Sequence, residues 1–404
     1  MRLLPSFLAL LLTGCAVSDF SPRGETQASY AERHVYFAEF CALSQIKKRV
    51  GFGADIRGEI GGHSVFYLNG ACRDPATAYP VLHLCTGNGD EDGVGLSMNS
   101  HFRNAKWVAV PGHDFFFDSG VPADTAVTRD TYRAVQRRAK SLRLYDGIEF
   151  HDEVFDDMPQ GWTREDWKYE MSVATDYAIS LGRGRYCARL PVDRAEMQRM
   201  IDFLNEQNAP YRAGKLFYWS VFQDNCIHLA HNALSVAGFW PEWRINRFLL
   251  WAILDFPVPK NEFVNMMRRA NDLPADPGIA YDDEDDRRAL LAGQPLPARR
   301  GALAEARPPL QPNDVYETQL KLIFYDDPIL GPYQGWFDGI FADPAYTQPA
   351  ANRARFAAVA RQNLAARKPL GWWLDRSPYR RDPQTFTQVY DRYYALMASL
   401  ANGR

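Results

Sequence analysis

The segment 218–234 constrains the fold of this 404-residue chain most strongly, because it combines a helix start with a chemically reactive residue. Asn225 is a typical helix N-cap residue, and Ile227 and Ala230 begin an apolar face at helical spacing. The pattern predicts a helix whose first turn contains Cys226. The unpaired N–H groups at a helix N-terminus favour thiolate over thiol, so Cys226 is a candidate nucleophile.

A cysteine nucleophile needs a proton acceptor, and the best candidate is His63. It follows two glycines and begins an apolar run, residues 63–68, that is typical of a strand. Taken alone, Cys226 is more typical of a small buried side chain that packs as a hydrophobe. The Gly-Gly-His strand and the capped Cys helix together favour a nucleophile and its base.

The N-terminus has the features of a secretion signal. One arginine precedes an apolar segment, residues 3–12, that is too short to span a bilayer as a mature helix. The sequence Leu-Thr-Gly-Cys that ends at Cys15 resembles the lipobox of bacterial lipoproteins. The resemblance implies removal of residues 1–14, a lipid anchor on Cys15 and, because Ala16 is not an aspartate, an outer-membrane location facing the periplasm. An ordinary signal peptide cut nearby is the alternative.

Four cysteines remain if the nucleophile is free and the N-terminal cysteine is acylated, and an oxidising periplasm would let them form two disulfides. Cys72 and Cys85 flank a predicted turn, which favours a bridge across that hairpin and leaves Cys41 to pair with Cys187. A zinc site made from the same four residues is the alternative, although their spacing is wide and irregular.

Composition and the remaining motifs narrow the function classes. The net charge of −3 and the pI near 6.3 show no basic excess, which argues against nucleic-acid binding. His228 and His231 lie three residues apart on the predicted Cys helix without the accompanying glutamate of a zinc motif, so we predict no metal site. No pattern indicates a cofactor.

The periodicity of the chain predicts an α+β fold. An amphipathic helix is predicted for residues 30–48, and a capping box begins another helix at Asp193. The predicted strands form an antiparallel meander followed by a hairpin, and they cover residues 63–68, 80–85, 94–98, 107–110, 176–180 and 185–190.

The order of these elements resembles the circularly permuted papain-like superfamily, which includes the NlpC-type cell-wall peptidases and the lecithin:retinol acyltransferase relatives. In the permuted members the His strand precedes the Cys helix, as His63 precedes Cys226 here. The Gly62-His63 and Asn225-Cys226 pairs look especially like bacterial envelope proteins of unassigned activity. The resemblance covers roughly residues 60–234, and it implies an antiparallel sheet packed on the Cys helix, with the histidine on a facing strand.

The resemblance also implies a third polar residue, on the strand after the histidine. The sequence offers His83 in the predicted strand 80–85, with Asn69 as a second candidate. His83 fits a satisfied core histidine equally well.

The domain organisation follows from this resemblance and from composition. The predicted divisions are a signal peptide at 1–14, a tether at 15–28, a permuted papain-like catalytic domain at 29–272, an acidic and Pro-rich linker at 273–312, and a helical C-terminal region at 313–404.

The implied chemistry is that of a cysteine hydrolase or acyltransferase. Cys226 attacks a carbonyl, His63 transfers the proton, His83 orients the imidazole, and Gln223 or Asn225 assists the backbone N–H in binding the oxyanion. The expected substrate is an amide or ester, with cell-wall peptide favoured over an acyl lipid. The alternative from another class is a non-catalytic envelope scaffold or binding lipoprotein.

Overall fold

A computed structural model of the chain describes residues 15–16, 23–52, 62–86, 93–245, 258–318, 322–323 and 331–403. In these ranges the protein is α+β, as the sequence predicts. The strands are β1 Cys15–Ala16, β2 Arg23–Gly24, β3 Phe37–Leu43, β4 Lys47–Lys48, β5 His63–Asn69, β6 Ala71–Arg73, β7 Leu82–Leu84, β8 Gly93–Ser97, β9 Val108–Pro111, β10 Arg185–Pro191, β11 Leu303–Arg307, β12 Tyr316–Glu317 and β13 Leu322–Ile323.

The helices alternate with these strands and then dominate the C-terminal third. They are α1 Gln27–Ala31, α2 His113–Asp118, α3 Arg129–Ser141, α4 Arg164–Ser172, α5 Arg194–Arg212, α6 Cys226–Val236, α7 Pro259–Arg269, α8 Pro277–Asp282, α9 Glu284–Ala292, α10 Tyr333–Ala342, α11 Pro349–Ala365, α12 Leu370–Leu374 and α13 Pro383–Ala401. None of the described helices has both the length and the apolar character needed to cross a membrane.

The main sheet is antiparallel and has the order β2-β11-β10-β3-β5-β8-β9, in which β2 contributes only two residues at one edge. All seven residues of β3 pair with β10 on one side and with β5 on the other. Helix α6 packs on β5, α7 packs on β3 and β10, and α2 packs on β8 and β9. The sheet therefore places β5, the strand that begins at His63, between the centre and one edge.

The prediction of a helix over residues 30–48 is wrong. Helix α1 ends at Ala31, and Phe37–Leu43 form β3, every residue of which is buried. A strand buried on both faces carries a continuous apolar run instead of an alternating pattern. Its large side chains at Phe37, Phe40 and Leu43 happen to match helical spacing, and periodicity alone cannot separate the two cases.

Two predicted strands also take other roles. The predicted strand 80–85 forms β7, which pairs with β6 in a separate two-stranded ribbon and does not join the main sheet. The predicted strand 176–180 instead leads into a 3₁₀ turn, Ile179–Leu181. The strands predicted at 94–98 and 107–110 are confirmed as β8 and β9.

The capping box that begins α5 is confirmed. The Asp193 carboxylate accepts the backbone N–H of Glu196 at 2.7 Å, and the Glu196 carboxylate accepts the backbone N–H of Asp193 at 2.8 Å. The pair satisfies two N–H groups that the helix itself leaves unbonded, and so fixes the start of α5. The helix continues through Pro210 to Arg212.

The stretch predicted as a linker, 273–312, is folded. It contains α8 and α9, and it contributes β11, which pairs with β10 inside the main sheet. The acidic part of this stretch, residues 282–286, contains a helix start, because the Asp283 carboxylate accepts the N–H groups of Asp285 and Asp286. The Arg269 guanidinium donates two hydrogen bonds to the same carboxylate, at 2.8 and 3.0 Å.

The C-terminal region is mainly helical, as predicted, and α11 packs along α13. Its buried apolar side chains form a second core that extends from Leu273 to Leu400 and is separate from the core around the sheet. The second core therefore includes α8 and α9, which the sequence had assigned to the linker. The apolar run at 248–254 lies outside the described residues.

Candidate active site

Cys226 is the first residue of α6, where the sequence places it. The Asn225 side-chain oxygen caps the helix by accepting the N–H groups of Ile227 at 2.9 Å and His228 at 3.3 Å. The Asn225 amide in turn donates to the Val221 carbonyl at 2.7 Å. This cap holds Cys226 half-buried at the positive end of the helix, the position that favours a thiolate.

The other cysteines that the sequence considered for disulfides pair as predicted. Cys72 bonds to Cys85, and Cys41 bonds to Cys187 directly across the β3–β10 ladder. The zinc alternative is wrong, because both pairs of sulfurs are bonded to each other. Among the described residues Cys226 is left as a thiol. For Cys15 the structure gives only its backbone pairing with β13, so its lipidation remains a prediction.

His63 is the first residue of β5 and lies opposite Leu43 of β3. Its side chain is only 6% exposed. Gly62, just before it, has a φ of +81°, and a Cβ there would collide with the Leu43 carbonyl oxygen, so only glycine fits. Since α6 packs on β5, the two predicted reactive residues lie on contacting elements.

A row of hydrogen bonds runs from His63 into the core. The His63 Nε2 atom lies 3.3 Å from the Ser97 Oγ of β8, and that hydroxyl lies 2.8 Å from an oxygen of Asp176. Asp176 is fully buried and also receives hydrogen bonds from Asn99 at 2.6 Å and from the Tyr145 hydroxyl at 2.8 Å. Burial raises the pKa of the Asp176 carboxyl, against the opposite effect of the Ser97 hydrogen bond.

The direction of these hydrogen bonds assigns the tautomer of His63. The Oδ1 atom of Asp176 accepts from Ser97 and from Asn99, so Ser97 uses its single hydroxyl proton on the carboxyl group. The remaining lone pairs of Ser97 then accept the Nε2–H of His63. In the neutral ring this leaves Nδ1 as the nitrogen that can take a proton.

Neither predicted third residue lies near His63. His83 is exposed on β7, in the ribbon that follows the other end of β5, and Asn69 ends β5 and donates to the Val35 carbonyl at 2.8 Å. Six residues of extended strand separate His63 from Asn69, roughly 20 Å. Both candidates are therefore too distant to orient the imidazole.

Ser97 is the residue that sequence reasoning missed. The resemblance asks for a polar residue on the strand after the histidine, and in the sheet that strand is β8, not β7. Ser97 is the last residue of β8, at the end of the β5–β8 pair that is nearer to His63. Recognising β6 and β7 as a separate hairpin would have pointed to β8.

Of the two side chains predicted to bind the oxyanion, Asn225 is occupied elsewhere and Gln223 is not excluded by its position. Asn225 uses its side-chain oxygen for the helix cap and its amide for the Val221 carbonyl, so we assign it a structural role. Gln223 is half-buried two residues before the cap and remains a candidate, together with the backbone N–H of Cys226.

The two histidines further along α6 have partners within the fold. His228 is buried, and its Nδ1 lies 3.0 Å from the Asn225 side-chain oxygen. His231 lies 2.7 Å from Glu262 and is stacked between Trp240 and Trp243. These contacts attach the Cys helix to α7 and to the segment that follows α6.

Comparison of the chain with protein-family models, with curated proteins and with solved structures found no match. Function is therefore inferred from the residues of the site and their geometry.

Proposed function

We propose that this protein is a cysteine hydrolase or acyltransferase of the circularly permuted papain-like type. Cys226 is the nucleophile, His63 the base, and Ser97 with Asp176 the group that orients the base. The observation that carries the proposal is the row from His63 through Ser97 to the buried Asp176. Thiol activation requires an oriented base beside the nucleophile, and His63 lies on the strand against which the Cys helix packs.

The proposed reaction has two steps. The thiol proton of Cys226 passes to Nδ1 of His63, and the sulfur bonds to the substrate carbonyl carbon to give a tetrahedral oxyanion. Collapse of this intermediate expels the amine or alcohol, which takes the proton from His63, and leaves a thioester. Water or another acceptor then attacks the thioester and restores the thiol. The Cys226 N–H and the Gln223 side chain are the proposed oxyanion donors.

The proposed substrate is an amide or ester in the cell envelope, with cell-wall peptide ranked ahead of an acyl lipid. This preference rests on the superfamily resemblance and on the N-terminal signal. The mechanism uses only side chains and backbone of the protein, so the proposal includes no cofactor.

The proposed location is the periplasmic face of the outer membrane, through a lipid on Cys15. The support is the Leu-Thr-Gly-Cys sequence that closes the apolar N-terminal segment. The wild-type protein should incorporate radiolabelled palmitate and enter the detergent phase of Triton X-114, whereas Cys15→Ser should do neither. Equal partitioning of the two proteins would contradict the lipid anchor.

Thiol reactivity tests the catalytic proposal. Native protein is treated with a thiol-directed vinyl sulfone, and the rate of modification of the Cys226 peptide is followed by mass spectrometry. We expect modification at neutral pH to be at least tenfold faster in the native than in the denatured protein. His63→Gln should abolish this advantage, and the matched variant His83→Gln, which changes an exposed histidine, should keep it.

Two results would count against a catalytic thiol. One is a native rate no higher than the denatured rate. The other is a His63→Gln variant whose native form is still modified faster than its denatured form. Either result would favour a non-catalytic envelope scaffold.

A further inference from the structure

A cavity of about 930 Å³ lies beside the Asn69 end of β5, at the opposite end of that strand from His63. Its walls are the ends of β5 and β9 together with α1, α2 and α3. The volume lies within the range of small-ligand sites, roughly 300 to 1,000 Å³. The proposed catalytic site uses none of the residues that line this cavity.

His113 is the most firmly held polar group in the cavity wall. Its side chain is only 10% exposed, and its Nε2 lies 3.0 Å from the Glu39 carboxylate. Burial by itself raises the pKa of Glu39, but Arg189 and His113 outweigh it and hold that pKa at about 2. The ionised Glu39 therefore fixes the ring through Nε2–H, as carboxylates do for functional histidines.

The second nitrogen of this ring is available to a ligand. Among the described residues, no protein atom forms a hydrogen bond to Nδ1 of His113, and His113 lines the cavity. Nδ1 accepts an N–H when the ring is neutral and donates to a carbonyl when the ring is charged. Both partners occur in a peptide amide.

Ser119 supplies an independent observation in the same wall. Its Oγ is buried and has no hydrogen-bond partner among the described residues, and the residue has a φ of +62°, which is unusual for a side chain other than glycine or asparagine. A buried hydroxyl without a partner is costly, and an unpaired polar group of this kind calls for a specific explanation. Ser119 lines the cavity, so rotation about its Cα–Cβ bond can turn the hydroxyl toward a ligand there.

The cavity also has one charge of each sign. Arg138 on α3 and Asp114 on α2 both line it and are exposed, and neither forms an ion pair within the described part of the chain. A guanidinium binds a carboxylate, and a carboxylate binds an ammonium group. The pair therefore suits a ligand that itself has one positive and one negative end.

We propose that this cavity binds a short peptide with free termini. His113 is the first residue of the six-residue helix α2 and Ser119 follows its last, a rise of about 9 Å along the axis, which is the length of two to three extended peptide residues. His113 and Ser119 contact the amides, Arg138 binds the terminal carboxylate and Asp114 binds the terminal ammonium. The site is distinct from the proposed thiol site and does not depend on its activity.

Calorimetric titration of the full-length Cys226→Ala protein tests this assignment without turnover of the ligand. Trialanine with free ends should bind saturably, and N-acetyl-trialanine amide should bind at least tenfold more weakly. Arg138→Gln and Asp114→Asn should each lower the affinity for trialanine about tenfold. Arg137→Gln, which removes an exposed charge from the adjacent position of α3, is the matched control and should bind normally.

Three results would overturn the proposal. They are no saturable binding of trialanine up to about 10 mM, equal binding of the blocked peptide, and tighter binding of N,N′,N″-triacetylchitotriose, an uncharged glycan. The last result would assign the cavity to a glycan. Since the titration uses protein without the Cys226 thiol, a negative result leaves the thiol-labelling test unaffected, and a failed labelling test leaves this one unaffected.

Discussion

A single hydroxyl decides how His63 is held. Ser97 lies between the imidazole of His63 and the fully buried Asp176, and since its hydroxyl proton is donated to Asp176, its lone pairs accept from the imidazole. Asn99 and Tyr145 donate to the same carboxylate and fix its orientation. Two side chains, Ser97 and the Asp176 behind it, therefore hold the His63 ring, whereas the resemblance implied only one residue.

Removing the Ser97 hydroxyl should slow the reaction of the Cys226 thiol without unfolding the protein. In Ser97→Ala the Nε2–H of His63 loses its acceptor, so we expect modification of Cys226 at neutral pH to slow about tenfold. For a substrate, kcat should fall while KM stays nearly constant, because Ser97 does not contact the substrate. Ser64→Ala is the matched control, since Ser64 is a buried serine of β5 whose Oγ has no hydrogen-bond partner among the described residues. Equal rates in the two variants would remove Ser97 from the mechanism.

Asp176 should impose a pH dependence on stability. Burial raises its pKa in the folded protein above the ordinary value of 3.8, so the folded state binds the proton more tightly than the unfolded state does. Its contribution to the free energy of unfolding is therefore largest at low pH and is lost as the pH rises from about 3.8 through the raised pKa.

Urea unfolding of the wild type and Asp176→Asn, compared from pH 4 to pH 7, measures this contribution. The difference in unfolding free energy, wild type minus variant, should fall steadily as the pH rises. A difference that stays constant, or that rises with pH, would show that the carboxyl is not destabilised by burial.

At the level of elements, the Asn225 cap fixes where helix α6 begins. The Asn225 oxygen satisfies two N–H groups of the first turn, and its amide ties the preceding loop to the helix. Asp224 forms an ion pair with Lys106 at 2.8 Å, which holds the same loop beside the start of β9. The position of Cys226 thus depends on local contacts that sequence already indicates, and on one ion pair that it does not.

Loss of the cap should both destabilise the helix and disturb the thiol. Asn225→Ala should lower the unfolding free energy by about 1 kcal/mol, the usual effect of removing an N-cap. Asn225→Asp, which keeps the accepting oxygen, should recover most of it. Urea midpoints of the three proteins measure the change. If the alanine and aspartate variants are equally unstable, the cap is not the source of the effect.

At the level of the whole molecule, the Cys41–Cys187 disulfide links elements that are 146 residues apart, whereas Cys72–Cys85 closes a hairpin with a separation of 13. Both sulfurs of the long-range bridge are buried at the centre of the sheet, between β3 and β10. In the chain-entropy view, a longer closed loop restricts the unfolded chain more and so stabilises the fold more.

Removing the long-range bridge should therefore cost more stability than removing the hairpin bridge. The two closed loops predict a difference of about 2 kcal/mol between the double variants Cys41→Ala/Cys187→Ala and Cys72→Ala/Cys85→Ala. Urea unfolding under non-reducing conditions measures both. A larger loss for the hairpin variant would contradict the loop-length explanation and would indicate that the β6–β7 ribbon contributes more than its size suggests.

The features with local signals could be predicted from the amino-acid sequence. The cap places Cys226 at a helix start, Gly62 precedes the strand that begins at His63, the capping box starts α5, and the turn between Cys72 and Cys85 predicts their bridge. Each follows from a few neighbouring residues, whose hydrogen bonds and backbone angles depend little on the rest of the chain.

Which strands are neighbours could not be predicted in this way, because strand pairing depends on the packing of the whole chain. The choice of β8 as the partner of β5 brings Ser97 and Asp176 to His63, and the pairing of β11 with β10 turns an apparent linker into part of the sheet. Because β3 is buried on both faces, its sequence lacks the alternation of apolar and polar residues that identifies a strand. Strand order is set by the total apolar surface that the packed layers remove from water, a property that no short stretch of sequence contains.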